Sequence, residues 1–163
     1  MSPNIHSLEE EEIRAVNRGE RHITIHFDGA YRFSYGKHEY GCGWVISQNG
    51  VDIVSKSFGG VSEEPFSSNA SEYLALKDAL EYLLISEYFE FDRLTIVGDS
   101  RLVINQISDK WKMNEGIYVK IGREVKNYIY LHFHKNVDYK WTSRNFNQKA
   151  DELSKIGLNN YDK

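Results

Sequence analysis

The chain has 163 residues, of which 40% are hydrophobic, 27% charged and 13% aromatic. That balance suits one soluble globular domain with its own core. No apolar run approaches the roughly 20 residues of a membrane helix. The acidic start, MSPNIHSLEEEEIR, lacks the apolar stretch of a secretory signal. The lone Cys42 excludes an internal disulfide framework and a zinc site built from paired cysteines. A reducing, cytoplasmic setting is the expectation. Net charge is −4, and −3 of it falls in residues 1–20, so the remainder is nearly neutral and does not exclude a nucleic-acid partner.

In chain order, residues 1–20 read as an acidic extension, with a short helix possible over Glu9–Val16. Residues 21–158 read as one domain and 159–163 as a tail. His22–Phe27 alternates polar and apolar side chains and predicts a first strand. Gly41–Ile46 predicts a second, Asn49-Gly50 a hairpin turn, and Val51–Phe58 a third strand. The period then changes. Glu72–Ser86 predicts a helix with Leu76, Leu80, Leu83 and Leu84 on one face, and Ser67, Ser68 and Asn69 as candidate caps. Leu94–Val97 predicts a short buried strand running into Gly98-Asp99-Ser100 and a helix carrying Leu102, Val103, Gln106 and Ile107. Another helix is predicted over Ile117–Tyr130 and a strand over 131–141, which would place His132 and His134 on that strand as surface or packing residues. A last helix runs from an Asn147 cap to Ile156, with Gly157 as its stop. The order β-β-β-α-β-α-α-β-α predicts an α/β fold: a five-stranded mixed sheet, three strands antiparallel and then two parallel, with helices on both faces.

Four carboxylates stand out, and each has an ordinary explanation. Asp28 precedes Gly29 as in a turn. Glu72 follows Asn69 by three residues, as in a capping box. Asp99 could cap a helix, and Asp151 could be a solvated helical side chain. Together they say more. Two fall at strand carboxyl ends and two near helix N-termini, points that a flanked sheet can gather at one edge. Four carboxylates in one cleft would repel and take up protons unless hard cations sat among them. Oxygen-only ligation indicates Mg²⁺, with Mn²⁺ as substitute. Two such ions can activate a water and stabilise a leaving oxygen in phosphodiester hydrolysis.

The strings FDGAYR, GCGWVI, SSNASEYLALKDAL, IVGDSRLVINQI and WTSRNFNQKADELS occur in an order that resembles the type 1 ribonuclease H family, over about residues 22–157. The likeness is to the short prokaryotic and plant-like branch without a hybrid-binding domain. The resemblance implies an endoribonuclease that cuts the RNA strand of an RNA–DNA hybrid, leaving 5′-phosphate and 3′-hydroxyl ends. It implies that Asp28 bridges both metals, that Glu72 and Asp99 hold the ion near the leaving 3′ oxygen, and that Asp151 holds the ion that activates water. It implies contacts to the RNA 2′-hydroxyls from Gly29, Ala30, Ser68 and Asn69, a DNA-side contact from Trp111, and a phosphate contact from Arg144. Ser68 stands where many members have Asn, Ser71 where Ala is usual, and Arg144 where many have His. Lys110, Lys112, Lys120, Arg123 and Lys126 form the most basic stretch. A monomer without small-molecule cofactor or membrane association is expected. The rival expectation is a catalytically silent module of the same fold that binds nucleic acid or protein. A third keeps the chemistry and takes double-stranded RNA or structured DNA.

Overall fold

A computed structural model describes residues 19–133 and 136–161. The helix expected over Glu9–Val16, and His134, lie outside the described residues. The strands are β1 (His22–Ser34), β2 (Lys37–Gln48), β3 (Val51–Ser62), β4 (Arg93–Gly98) and β5 (Val137–Trp141). The helices are α1 (Ser68–Ile85), α2 (Arg101–Ile107), α3 (Val119–His132) and α4 (Gln148–Asn160). One sheet has the order β3-β2-β1-β4-β5. β1, β2 and β3 pair antiparallel, while β4 runs parallel to β1 and β5 parallel to β4. The expected mixed sheet is therefore the observed one. No described helix is long and apolar enough to cross a membrane.

Alternation on β1 sorts the layers. Ile23, Ile25 and Phe27 are buried in a core with Trp44, Ile46, Tyr73, Leu76, Leu80, Leu83, Leu94 and Ile96, extended by Val125 and Ile129 of α3. The other face of the sheet carries α4, tied down by Ser57 Oγ donating to Leu153 O at 2.6 Å. Cys42 is fully buried and donates its thiol to Ser71 O at 3.3 Å.

Several boundaries differ from expectation. β1 does not stop at Phe27; it continues to Ser34, so Asp28, Gly29 and Ala30 lie within a strand and Asp28-Gly29 is not a turn. The turn comes at Tyr35-Gly36. α1 starts at Ser68, because Ser67 supplies the cap by accepting from Ala70 N at 3.1 Å. Glu72 thus sits in the second turn and is no capping-box glutamate. Ser100, not Asp99, caps α2 by accepting from Val103 N. Residues up to His132 belong to α3, since the alternation in LHFH is a helix end and not a strand; β5 begins at Val137. Exposed His132 therefore ends a helix. Asn147 occupies the cap position of α4 but makes no side-chain cap bond, and the helix runs through Gly157 to Asn160. A Cβ at Gly157 would lie 2.1 Å from Phe58 O, so this glycine permits close packing on β3 and does not stop the helix.

Candidate active site

Pairing between β1 and β4 ends at Phe27 and Gly98. Asp28 and Asp99 are the next residues on these neighbouring strands, so they emerge side by side at the carboxyl end of β4. Two glycines let helices bring further carboxylates to this point. A Cβ on Gly29 would lie 2.4 Å from Glu72 N, so its absence allows α1 to press Glu72 toward Asp28. Gly43 pairs with Asp28 across β2, and a Cβ there would lie 2.5 Å from Ala150 O. Its absence seats the first turn of α4, and with it Asp151, on the opposite face.

Carboxylate oxygens of Asp28, Glu72 and Asp99 all lie within 4.8 Å of one another. Asp151 joins them through a hydrogen-bonding interaction with Asp28. Asp28 and Glu72 are 5% and 8% exposed, so most of their hydration is lost. Burial, then the charge of Asp99, the bond to Asp151 and the charge of Glu72, push Asp28 up to about 8. Burial and the Asp99 charge likewise push Glu72 up to about 8. Asp99 is raised by burial, against the pull of the Asn147 amide and Arg144. On Asp151, burial acts upward but is outweighed by hydrogen bonds from Lys155 and Asp28, and its carboxyl is held low. Lys155 Nζ stands 3.0 Å from Asp151 Oδ2.

The oxygen-only donor set fits hard divalent cations. Asp99 Oδ2 supports the fit: it is buried without a hydrogen-bond partner. A buried carboxylate oxygen left in that state is costly unless something positive reaches it. Arg144 Nε is 4.0 Å away, too far for a hydrogen bond, on a side chain that is 75% exposed.

Of the remaining expected residues, Gly29 and Ala30 follow Asp28 on β1, and Ser68 and Asn69 open α1 three and two residues before the buried Ser71-Glu72 pair. Trp111 is not brought to the carboxylates. It lines an open groove with Lys112, Arg123, Lys126 and Tyr130. Lys126 is engaged by Asp109, which reduces the free positive charge of the basic stretch. Asn147 carries a role that its reading as a cap misses. It is 2% exposed, and its Nδ2 donates to Phe27 O at 3.0 Å, tying the loop before Asp151 to the strand just before Asp28. Its spacing of four residues from Asp151 was the available signal. Trp141 similarly donates Nε1 to Asp99 O at 2.9 Å and is covered by the Arg101 guanidinium at 3.9 Å.

A family profile described as reverse transcriptase-like matches residues 26–157. The chain belongs to this family. It is 35% identical over 106 residues to ribonuclease HI of Halobacterium salinarum, a match covering 64% of this chain and 50% of that protein. The match thus spans half the length of this curated relative. The crystal structure of RNase H1 from Halobacterium salinarum superposes with a TM-score of 0.67 at 26% identity, covering 85% of this chain and 98% of that one. LC11-RNase H1 in complex with an RNA/DNA hybrid gives a TM-score of 0.72 at 25% identity, covering 84% and 96%. The ribonuclease H resemblance read from the motifs holds, in sequence family and in fold.

Proposed function

We propose that the chain is a metal-dependent endoribonuclease that hydrolyses the RNA strand of RNA–DNA hybrids, leaving 5′-phosphate and 3′-hydroxyl ends. The observation that carries this reading is the convergence of Asp28, Glu72 and Asp99, with Asp151 on Asp28, from the middle of β1, the end of β4 and two helices. A scaffold gains nothing from gathering buried like charges, which favours the enzyme over the silent module. The relatives named above, one of them crystallised with an RNA/DNA hybrid, support the substrate.

Two Mg²⁺ ions, with Mn²⁺ as substitute, would supply an activated water and neutralise the leaving oxygen. Asp28 contacts both the Glu72–Asp99 pair and Asp151, so it is the carboxylate able to serve both ions. Glu72 and Asp99 would hold the ion nearer the leaving 3′ oxygen, and Asp151 the ion nearer the water. In this reading Arg144 grips a phosphate with its planar guanidinium fork and moves no proton. Gly29, Ala30, Ser68 and Asn69 border the cluster on the side where β1 meets α1, and would read the 2′-hydroxyls. Trp111 would meet the DNA strand from its groove. The same reading includes a monomer, a cytoplasmic location, and a catalytic domain over residues 21–158 behind an acidic extension.

The test is incubation of the full chain with an end-labelled hybrid, duplex DNA and duplex RNA in Mg²⁺ and, separately, Mn²⁺. Cleavage confined to the RNA of the hybrid is expected. Intact hybrid in both metals at high enzyme removes the proposal, and cutting of duplex RNA widens the substrate.

A further inference from the structure

The sheet contains two tight hairpin turns, and they differ in a telling way. Asn49-Gly50 and Tyr35-Gly36 both have positive φ at both residues, 48° and 86° in the first, 50° and 73° in the second. Such turns favour Asn or Asp before Gly, because a bulky side chain is strained there. Asn49-Gly50 follows the rule. Tyr35 breaks it, and its side chain is fully exposed, so burial gives nothing back. Two residues earlier, Phe33 is 61% exposed.

These rings belong to a longer strip. Tyr31 and Phe33 alternate onto the same face of β1 as Phe27 and Gly29. Across the hairpin, His38 pairs with Phe33 and Tyr40 with Tyr31. His38 lies 4.7 Å from the Phe33 ring and stacks at 5.9 Å on Tyr31, and Tyr31 Oη and His38 Nδ1 share a 2.6 Å hydrogen bond. Tyr40 packs on Phe66 at 5.0 Å, and Phe66 directly precedes the α1 cap. The strip thus runs from the turn to the N-terminus of α1, the helix that carries Ser68, Asn69 and Glu72.

We infer that this strip is a stacking platform for an unpaired nucleobase of the substrate, giving the chain a preference for hybrids with a single-stranded extension over blunt ones. The inference rests on the nuclease reading of the carboxylate site. Its occupant follows from continuity: Phe33 and Asp28 are on one strand, five residues or about 17 Å apart. Nucleotides along a strand are spaced about 3.4 Å, so the platform lies roughly five nucleotides from the scissile phosphate. Flat rings held by neighbouring rings stack any base without regard to sequence. Exposed Lys37 beside the turn can meet a phosphate.

The experiment compares a blunt hybrid with hybrids whose RNA strand extends beyond the duplex at either end in turn. 2-Aminopurine is the first unpaired base. Wild type should show about tenfold lower KM for one extended substrate and quenched 2-aminopurine emission on binding. Phe33→Ala and Tyr35→Asn should each remove both effects and leave kcat on the blunt hybrid unchanged. Tyr35→Asn should also raise the Tm, since it relieves the turn, which separates lost stacking from lost folding. Equal KM values in wild type, or an advantage that survives both variants, overturns the platform and leaves the tip to a protein partner. If wild type cuts no hybrid, the nuclease reading fails; quenching measured in EDTA still decides for or against stacking.

Discussion

Asp99 follows the last residue of β4, and its Oδ2 is buried without a partner while Asp28 and Glu72 crowd its other surroundings. Replacing it by Asn keeps the volume and removes one charge from a desolvated group of like charges. Asp99→Asn should raise the Tm of the metal-free protein by about 2–4 °C, on the order of 1 kcal/mol. It should lower hybrid cleavage at least a hundredfold, more than the loss of a partner lying outside the ligand set. Calorimetry in EDTA with a matched cleavage assay checks both directions; wild-type turnover would remove Asp99 from the machinery. At this scale the sequence was informative about which acids matter, since Asp28, Glu72, Asp99 and Asp151 stand in recognisable strings. It was uninformative about what lets them meet. Gly29 and Gly43 act through atoms they lack, against α1 and α4 respectively, and such contacts join residues far apart in the chain.

Elements were legible in kind and order but not in extent. β1 and β2 run on past their apolar cores because each supplies the other's backbone hydrogen bonds as far as the Tyr35-Gly36 turn, where the side chains are aromatic or charged and carry no burial signal. The LHFH alternation misled because the end of α3 places a buried Phe133 directly after exposed Leu131 and His132, which mimics a half-buried strand over a few residues. Gly157 misled for a different reason: a glycine after an amphipathic run normally ends a helix, whereas here it lets α4 touch β3. A glycine packed against β3 and one in open space make opposite predictions. A mid-helix glycine in open space gains stability when changed to alanine. Gly157→Ala should instead lower it by about 2–3 kcal/mol, because the new Cβ would fall 2.1 Å from Phe58 O and force α4 outward. Chemical denaturation measures this directly, and a stabilised variant would mean that Gly157 does not hold α4 against β3. Since α4 carries Asp151, activity should fall along with stability.

Over the whole molecule, the carboxylate cluster makes stability depend on pH in a direction opposite to that of most folded proteins. Asp28 and Glu72 are raised to about 8 from ordinary values near 4, so between those limits the folded chain holds protons that the unfolded chain has lost. Stability then falls as pH rises. His26 acts the other way. Burial lowers it to about 4 from 6.5, so over that span the unfolded chain holds the extra proton and stability rises with pH. Below about 6.5 one proton from His26 offsets part of the two from the carboxylates; above it nothing does. Asp151 and Asp52 are held low and act only near pH 4 and below. The metal-free Tm should therefore decline gently from pH 5 to 6.5 and steeply from 6.5 to 8, by roughly 5 °C or more. Millimolar Mg²⁺ should abolish the steep part, because cations bind the ionised carboxylates and stabilise the folded state by mass action. Thermal scans in EDTA and in Mg²⁺ across this range provide the check. A metal-free Tm that is flat or rising from pH 6.5 to 8 would mean that Asp28 and Glu72 do not share one desolvated site.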